Sequence, residues 1–573
     1  MFLRAAVFFI LIASCALYGE PAYQVVLDDV DPSIHSAFDE YSTLVKQQEL
    51  PVKSDAQLEW RAQDDLNLLK RLYQEKGYLS PTLDLSIDHV GSVPVVRLRG
   101  APGELYLLKE VEVQTAENTF VLDGKDLGET ATLDRILYIE EEFIEQLRRG
   151  GYPFVELKNR KIIALKGEQS VKVILEINLG PKATFAKTVV AGNSAVHTKL
   201  ILRKIDWKEG DVYDADAVER TVAALEKTGL FTHITIKPAS TSCDEVPMII
   251  EVAEAKHRTI GAGVGFTSQL GPGVNLEWEN RNFRGRGETL SFKTHLWQRL
   301  QNASVLYLKP DVFSDGQNLI WKGEVQREVT EGFTEESWGL SALLERQISP
   351  RTEFSYGLAF KQIHDTRSDN NRLFTLLKTP LKLYYHKTDS LMDPTKGKTA
   401  LVKVTPTMQI LSPQFAYCIT ELTATKYIPL SDFCVLAGKL SLGSIWGSSR
   451  KGIPPSERFY AGTESMLRGY KYMTVSPLNH EHKPIGGRSL VVGSLELRTR
   501  VYEDISLVTF YEAGNVYSAP FPDFREKILH SVGAGIRYHT PVGPLRLDVG
   551  IPLNKRRHVD NSYEIYFSIG QSF

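Results

Sequence analysis

Cysteine is nearly absent: 4 in 573 residues, at positions 15, 243, 418 and 434, with no C-x-x-C spacing. That pattern excludes a disulfide-built fold and a cysteine zinc site, and it makes Cys418 and Cys434 free thiols by expectation. An excess of one charge is lacking as well. Lys and Arg number 67 against 70 Asp and Glu, for a formal net charge of −3, and no basic block suggests a nucleic-acid partner. Beyond the first twenty residues no stretch approaches the ~18 apolar residues that a membrane-crossing helix needs. Any membrane role would fall to strands. Catalytic signatures are missing too, since neither Gly-x-Ser-x-Gly nor His-Glu-x-x-His occurs. The glycines of Gly261-Ala262-Gly263-Val264-Gly265 precede no helix, and Gly285-Arg286-Gly287-Glu288-Thr289 has no Lys before its Thr, so neither is a nucleotide loop. His480-Glu481-His482 sits in a long loop and reads as solvated rather than metal-binding. No enzyme, metal or cofactor is expected.

The N-terminus reads as an export signal, residues 1–19. Arg4 supplies a positive charge, Ala5 to Ala13 is an unbroken apolar run, and small residues come after it at Ser14, Ala16 and Gly19. Ile12-Ala13-Ser14-Cys15 also resembles a lipoprotein signal, which would leave Cys15 lipidated.

The remainder has two grammars. Residues 20–257 mix helices and strands and repeat. Amphipathic helices end at Gly77, Gly150-Gly151 and Gly229, and an aromatic or apolar residue comes next in each case: Tyr78, Tyr152 and Leu230-Phe231. Glycine there supplies a left-handed cap. From Tyr78 to Tyr152 is 74 residues, and from Tyr152 to Phe231 is 79. The apolar stripes are Leu66, Leu69, Leu72, Tyr73; Leu137, Phe143, Ile144, Leu147; and Val218, Val222, Leu225. Three β-α-α-β-β modules are expected, at 20–103, 104–180 and 181–257, with Leu179-Gly180-Pro181 as a hinge.

Residues 258–573 read almost entirely as strands, about sixteen of them in roughly 316 residues. In Ser494–Val501, Leu495, Leu497, Thr499 and Val501 share one face, while Glu496, Arg498 and Arg500 share the other. The last strand, Tyr563 to Phe573, places Tyr563, Ile565, Phe567, Ile569 and Phe573 on an apolar face, with Tyr566 among the polar set. A soluble sandwich could hide such faces. A transmembrane barrel turns them to lipid and keeps charge in its lumen.

Several segments carry a resemblance. They are Glu279-Asn280-Arg281-Asn282-Phe283-Arg284-Gly285-Arg286-Gly287-Glu288; Asp393-Pro394-Thr395-Lys396-Gly397; the loop tip Leu467-Arg468-Gly469-Tyr470; Phe510-Tyr511-Glu512-Ala513-Gly514; Ser531-Val532-Gly533-Ala534-Gly535-Ile536-Arg537; and Leu545-Arg546-Leu547-Asp548. In this order they resemble the outer-membrane assembly-factor superfamily of BamA and TamA type, and the repeated modules resemble POTRA domains. Three modules and this length are most similar to TamA. The resemblance implies a fold of three α+β periplasmic modules followed by a 16-stranded antiparallel transmembrane β-barrel in the bacterial outer membrane. It implies that the loop from Gly447 to about Gly487 folds inward and that Arg468, with Gly469 and Tyr470, forms its tip. Glu496 and Glu512 are the expected acceptors for Arg468; the family usually has Asp where Glu512 stands.

The implied function is assistance in inserting client outer-membrane proteins. Its expected place is the seam between the first barrel strand, weakened by Gly261, Gly263 and Gly265, and the last, which carries Gly570 and Phe573. The implied partners are client proteins, the lipid bilayer and a periplasmic bridge protein of TamB type. A two-partner-type secretion channel and a lipid-transfer docking port are the rival readings.

Overall fold

The computed structural model describes residues 22–569, except 49, 51, 53, 90–92, 123–126, 166, 240–243, 367–371, 391–392 and 541–544. The export segment, Cys15, Cys243, Gly570 and Phe573 lie outside the described residues. Two compact units are present. One holds the chain up to residue 191 with 204–224 and 234–251; the other holds 192–203, 225–233 and the chain from 252.

The first module contains β1 (Gln24–Asp28), α1 (Pro32–Tyr41), α2 (Thr43–Lys46), α3 (Asp55–Glu75), β2 (Thr82–Asp88) and β3 (Val95–Ala101), with sheet order β1-β3-β2. The second contains β4 (Leu107–Gln114), β5 (Thr119–Leu122), α4 (Leu133–Arg149), β6 (Glu156–Leu165) and β7 (Ser170–Asn178), in order β5-β4-β7-β6. The third contains β8 (Thr184–Ala191), α5 (Thr198–Arg203), α6 (Ala215–Glu226), β9 (Phe231–Pro238) and β10 (Glu245–Glu254), in order β8-β10-β9.

In the second module the short strand β5 stands where a first helix was expected. Thr119-Phe120-Val121-Leu122 is β-branched and aromatic, which suits a strand. The stripe of α4 is also rotated from its expected position. Leu137 is 38% exposed and Ile136 is buried in its place, packing with Ile139, Phe143 and Leu147 at helical spacing. The helix-ending glycines adopt positive φ: +94° at Gly77, +104° at Gly151 and +64° at Gly229. Each junction repeats one hydrogen bond. Gly77 O accepts from Tyr106 N (3.2 Å), Gly151 O from Ala183 N (2.8 Å), and Leu230 O from Ala255 N (2.8 Å). The sequence repeat is thus a repeat of connection, kept even in the second module, which has a strand in place of its first helix.

Glu254, at the end of β10, organises the segment before α5. Its carboxylate accepts the backbone N–H of Ser194 (2.6 Å), Ala195 (2.9 Å) and Val196 (2.8 Å), with His257 Nε2 at 3.3 Å. Burial opposes ionisation, but the three backbone donors prevail and hold the carboxyl down to about 2. A depressed folded-state pKa gives stability that is complete above the ordinary carboxylate value of 4.5 and is lost as pH falls toward 2. The amides of residues 194–196 should therefore lose hydrogen-exchange protection between pH 5 and pH 2. Glu254→Gln should lower that protection at neutral pH by on the order of tenfold and remove its pH dependence. Unchanged protection in the variant would make the carboxylate dispensable.

The strand-rich region begins with β11 (Arg258–Thr267), β12 (Gly271–Asn280), β13 (Thr289–Trp297), β14 (Leu300–Lys309), β15 (Gln317–Val329), β16 (Thr334–Ser349) and β17 (Thr352–Asp365). It continues with β18 (Arg372–Lys378), β19 (Leu381–Thr388), β20 (Gly397–Gln409), β21 (Phe415–Ser431) and β22 (Cys434–Trp446). After a long loop come β23 (Ser489–Tyr502), β24 (Ile505–Tyr517), β25 (Leu529–Tyr538), β26 (Leu545–Pro552) and β27 (Glu564–Ile569). Neighbours pair antiparallel in chain order, β18 and β19 excepted. Segments β18 and β19 are one strand broken at Thr379-Pro380. Both pair with β17 on one side and β20 on the other, and proline has no N–H for the ladder. Seventeen segments therefore make sixteen strands.

Alternation sets two faces. Leu495 and Leu497 face outward and are exposed, while Glu496 between them is fully buried. Where the same strands adjoin the long loop, the inward face is apolar instead of wet. Leu490, Val492 and Val516 point inward there because a loop fills the space. Cys418 lies opposite Trp446, and Cys434 opposite Thr499; both thiols are free. Wall height varies around the sheet. Strands β11–β14 have 9–10 residues, whereas β15–β17 and β20–β24 have 13–17.

Candidate functional site

The loop between β22 and β23, residues 447–488, folds into the sheet's interior. An apolar face drives it there. Ile453, Phe459, Ala461, Leu467, Tyr470 and Val475 are buried against Ile445, Leu490, Val492, Val516 and Leu529. Near its start the loop is tied to one wall. The Glu457 carboxylate pairs with Lys378 of β18 and with Lys361 of β17 (3.5 Å). Its tip crosses to the opposite wall.

At the tip, Leu467 takes φ +57°, a left-handed conformation that is uncommon for leucine and costs ~1–3 kcal/mol. That turn aims Arg468 at β23–β26. Arg468 Nη1 donates to Glu496 Oε2 (2.9 Å) and Asp548 Oδ2 (3.1 Å), and Nε donates to Glu512 Oε1 (3.0 Å). Its backbone N–H donates to Glu512 Oε2 (2.5 Å). The guanidinium carbon lies 3.5 Å from the centroid of the Phe510 ring. Arg468, Glu496, Glu512 and Asp548 are all fully buried. A planar fork meeting several carboxylates uses the geometry specific to arginine.

The acceptors are themselves held. Ser494 Oγ (3.3 Å) and Ser531 Oγ (3.1 Å) donate to Glu512, and Arg498 Nε donates to Glu496 (2.8 Å). Asp548 also receives Arg537 and Arg546, the latter at 3.3 Å. Backbone approach is close. A side chain on Gly469 would strike Ile551 and Ser531, and one on Gly550 would strike the Arg468 carbonyl. Both glycines let the tip lie flat on β25 and β26.

Glu496 and Glu512, expected from sequence, thus meet Arg468. Asp548, Arg537, Arg546 and Phe510 were not anticipated as part of the cluster. The signal was available in part, since Arg546 and Asp548 alternate onto one face of Leu545-Arg546-Leu547-Asp548.

Tyr470 extends the site toward the last strand. Its hydroxyl lies within hydrogen-bond distance of two acceptors, His530 O (3.0 Å) and Asn554 Oδ1 (2.7 Å), which share its single proton. Its carbonyl accepts from the Tyr566 hydroxyl of β27 (2.8 Å). This accounts for an aromatic residue on the inward face of the last strand. Tyr566→Phe removes the hydroxyl and little else, for about 1 kcal/mol. The distance distribution between spin labels on β11 and β27 should broaden in that variant. An unaltered distribution would show that the tie does not hold the strand.

The seam glycines within the described residues lie on β11. Gly261, Gly263 and Gly265 face inward on β11, and the Trp297 ring covers Gly265 and Gly273. The Cα atoms of β11 and β27 approach within 8 Å, yet among the described residues no ladder joins the two strands. Outward-facing Ile260 and Val264 are 80% and 87% exposed.

Similar proteins agree with this architecture. The outer membrane protein assembly factor BamA of Nitratidesulfovibrio vulgaris is 24% identical over 446 residues, 74% of this chain and 55% of that protein. The chain thus spans about half the length of that relative. BamA of Neisseria meningitidis serogroup B is 21% identical over 586 residues, covering 89% of this chain and 72% of its own length. The crystal structure of BamA from Haemophilus ducreyi lacking POTRA domains 1–3 matches 81% of this chain and 99% of that one, with a TM-score of 0.70 at 18% identity. Residues 183–255 match POTRA, described as a surface antigen variable number repeat. Residues 282–573, more than half of the chain, match the Omp85 superfamily domain, and the chain belongs to that superfamily.

Proposed function

We propose that the chain assists the insertion of other outer-membrane proteins, its modules capturing the incoming chain and its seam receiving it. The barrel stands in the bacterial outer membrane and the modules in the periplasm. The observation that carries the reading is the absent ladder between β11 and β27 among the described residues, since closing a barrel ordinarily removes every edge. The assembly-factor name of the BamA relatives supports the same reading. Edge strands β1, β2, β5, β6, β8 and β9 offer backbone groups to which a partner strand can add. Client barrels and a bridge protein of TamB type are the partners this reading names. No bond is made or broken in such work; the driving force would be the folding free energy of the client. Arg468 with Gly469 and Tyr470 would keep the loop on the wall beside the seam while the seam opens.

The test is reconstitution. Liposomes carrying the protein should fold an added unfolded outer-membrane barrel faster than liposomes carrying an unrelated barrel, read as heat-modifiable mobility. No acceleration, together with passage of a soluble passenger into the liposome, would overturn the reading in favour of a secretion channel. Transfer of labelled phospholipid without client folding would overturn it in favour of a lipid port.

A further inference from the structure

The turn between β12 and β13, residues 281–288, is built from within. Gly285 and Gly287 take φ +78° and +72°. A side chain on Gly285 would strike the His197 ring, and Gly287 faces Leu200 and Leu230. Asn282 Oδ1 accepts from Gly287 N (3.0 Å), and Glu288 Oε2 accepts from Arg286 N (3.1 Å). None of this uses the side chains of Arg284 and Arg286. Both are exposed, and neither guanidinium is paired with a carboxylate among the described residues. Arg284 lies 6.0 Å from the centroid of the exposed Phe283 ring.

The strands that carry this turn expose apolar side chains, among them Phe292 and Val305. On β14, Val305, Tyr307 and Lys309 share the outward face, with Tyr307 opposite Leu290 of β13. Trp278 and Phe292 stand next to one another on the same wall, their ring centroids 5.5 Å apart. Arg284 and Arg286 both lie within electrostatic reach of the Tyr307 hydroxyl, as does the buried Glu288 carboxylate of the same turn. Lys309 is exposed and likewise has no carboxylate partner among the described residues. The wall therefore runs from aliphatic to aromatic to cationic. The end is the periplasmic one. Asn280, at the mouth of this turn, is paired with Arg258, the first residue after the third module. Aromatic rings at that depth followed by unpaired cations match the interface of a bilayer, where phosphates lie just beyond the acyl chains.

We propose that Arg284, Arg286 and Lys309 form a binding site for the phosphate of an anionic phospholipid headgroup in the periplasmic leaflet. The site rests on the outer-membrane placement of the barrel but not on its role in assembly. Three cations without a carboxylate partner among the described residues gain an anionic one there, and Phe283 and Tyr307 cover the adjoining glycerol region. The headgroup would sit on the short wall that leads to the seam.

Native mass spectrometry of the full-length protein, released from nanodiscs of equal phosphatidylglycerol and phosphatidylcholine, tests this directly. The wild type should retain phosphatidylglycerol in preference. Arg284→Gln/Arg286→Gln/Lys309→Gln should lose that preference by on the order of tenfold, while Arg284→Lys/Arg286→Lys should keep it. Circular dichroism and heat-modifiable mobility establish that each variant is folded. Equal retention of both lipids by the wild type, or an unchanged preference in the triple variant, would overturn the site. Displacement of the lipid by millimolar inorganic phosphate would reassign it to free phosphate and sink the lipid assignment. Client folding is not measured, so failure here leaves the assembly reading standing, and failure of that reading leaves this site standing.

Discussion

Replacing Arg468 by alanine will free the loop tip from the barrel wall. The change deletes a fully buried cation that serves Glu496, Glu512 and Asp548 together. Removing one partner of a buried ionic group costs ~3–5 kcal/mol, because the remaining charge is left without compensation. Here the loss falls mainly on Glu512. Asp548 keeps Arg537 and Arg546, and Glu496 keeps Arg498, whereas Glu512 loses its guanidinium and retains the backbone N–H of residue 468 and the hydroxyls of Ser494 and Ser531. Residues 447–488 should become sensitive to protease in membrane-embedded protein, and client insertion should fall with them. Arg468→Lys keeps the charge but not the fork, so it should fall between the two. Adding Glu512→Gln to Arg468→Ala should recover part of the lost resistance, the expected sign for coupled partners. Full protease resistance in Arg468→Ala would mean that the tip is held by its apolar packing alone.

What the sequence revealed and what it concealed have physical reasons. Glu496 was legible because a period of two leaves no other face for a charge between Leu495 and Leu497. Arg468 was legible through the resemblance, which folds the loop inward; an arginine so placed needs acceptors for its planar fork. Asp548 was hidden by distance: its strand is separated from the loop tip by 80 residues, and only the sheet's curl brings them together. Tyr566 read as an inconsistency on a polar face until its acceptor, the Tyr470 carbonyl, was in view. The break at Pro380 left the strand count unchanged, since two short segments share one place in the sheet. Module repeats were plain from the glycines after each helix, but the stripe of α4 was misplaced by one residue because Ile136 and Leu137 are equally apolar. The lumen's apolar end could not be read from strands alone, as it exists to receive the loop.

The seam carries the larger functional consequence. Glycines at 261, 263 and 265 remove side-chain contacts that are worth ~0.2–1 kcal/mol per cross-strand pair. Tyr566 supplies one tie from β27 to the loop, and β26 supplies the only ladder that the described residues of β27 make. A strand so held can part from β11 without disturbing the other ladders. Holding the two together by a covalent bond should then abolish insertion while leaving the barrel intact. A bond between central strands, at Ala400 of β20 and the directly opposed Ala424 of β21, should do nothing.

The decisive measurement is client folding by reconstituted protein, lacking native thiols, with one cysteine in Arg258–Thr267 and one in Glu564–Ile569 chosen so that they oxidise. Near-complete loss of activity on oxidation, restored by reductant and absent from the Ala400–Ala424 control, is the predicted result. Equal activity of the seam-locked and centrally locked proteins would contradict a seam that opens.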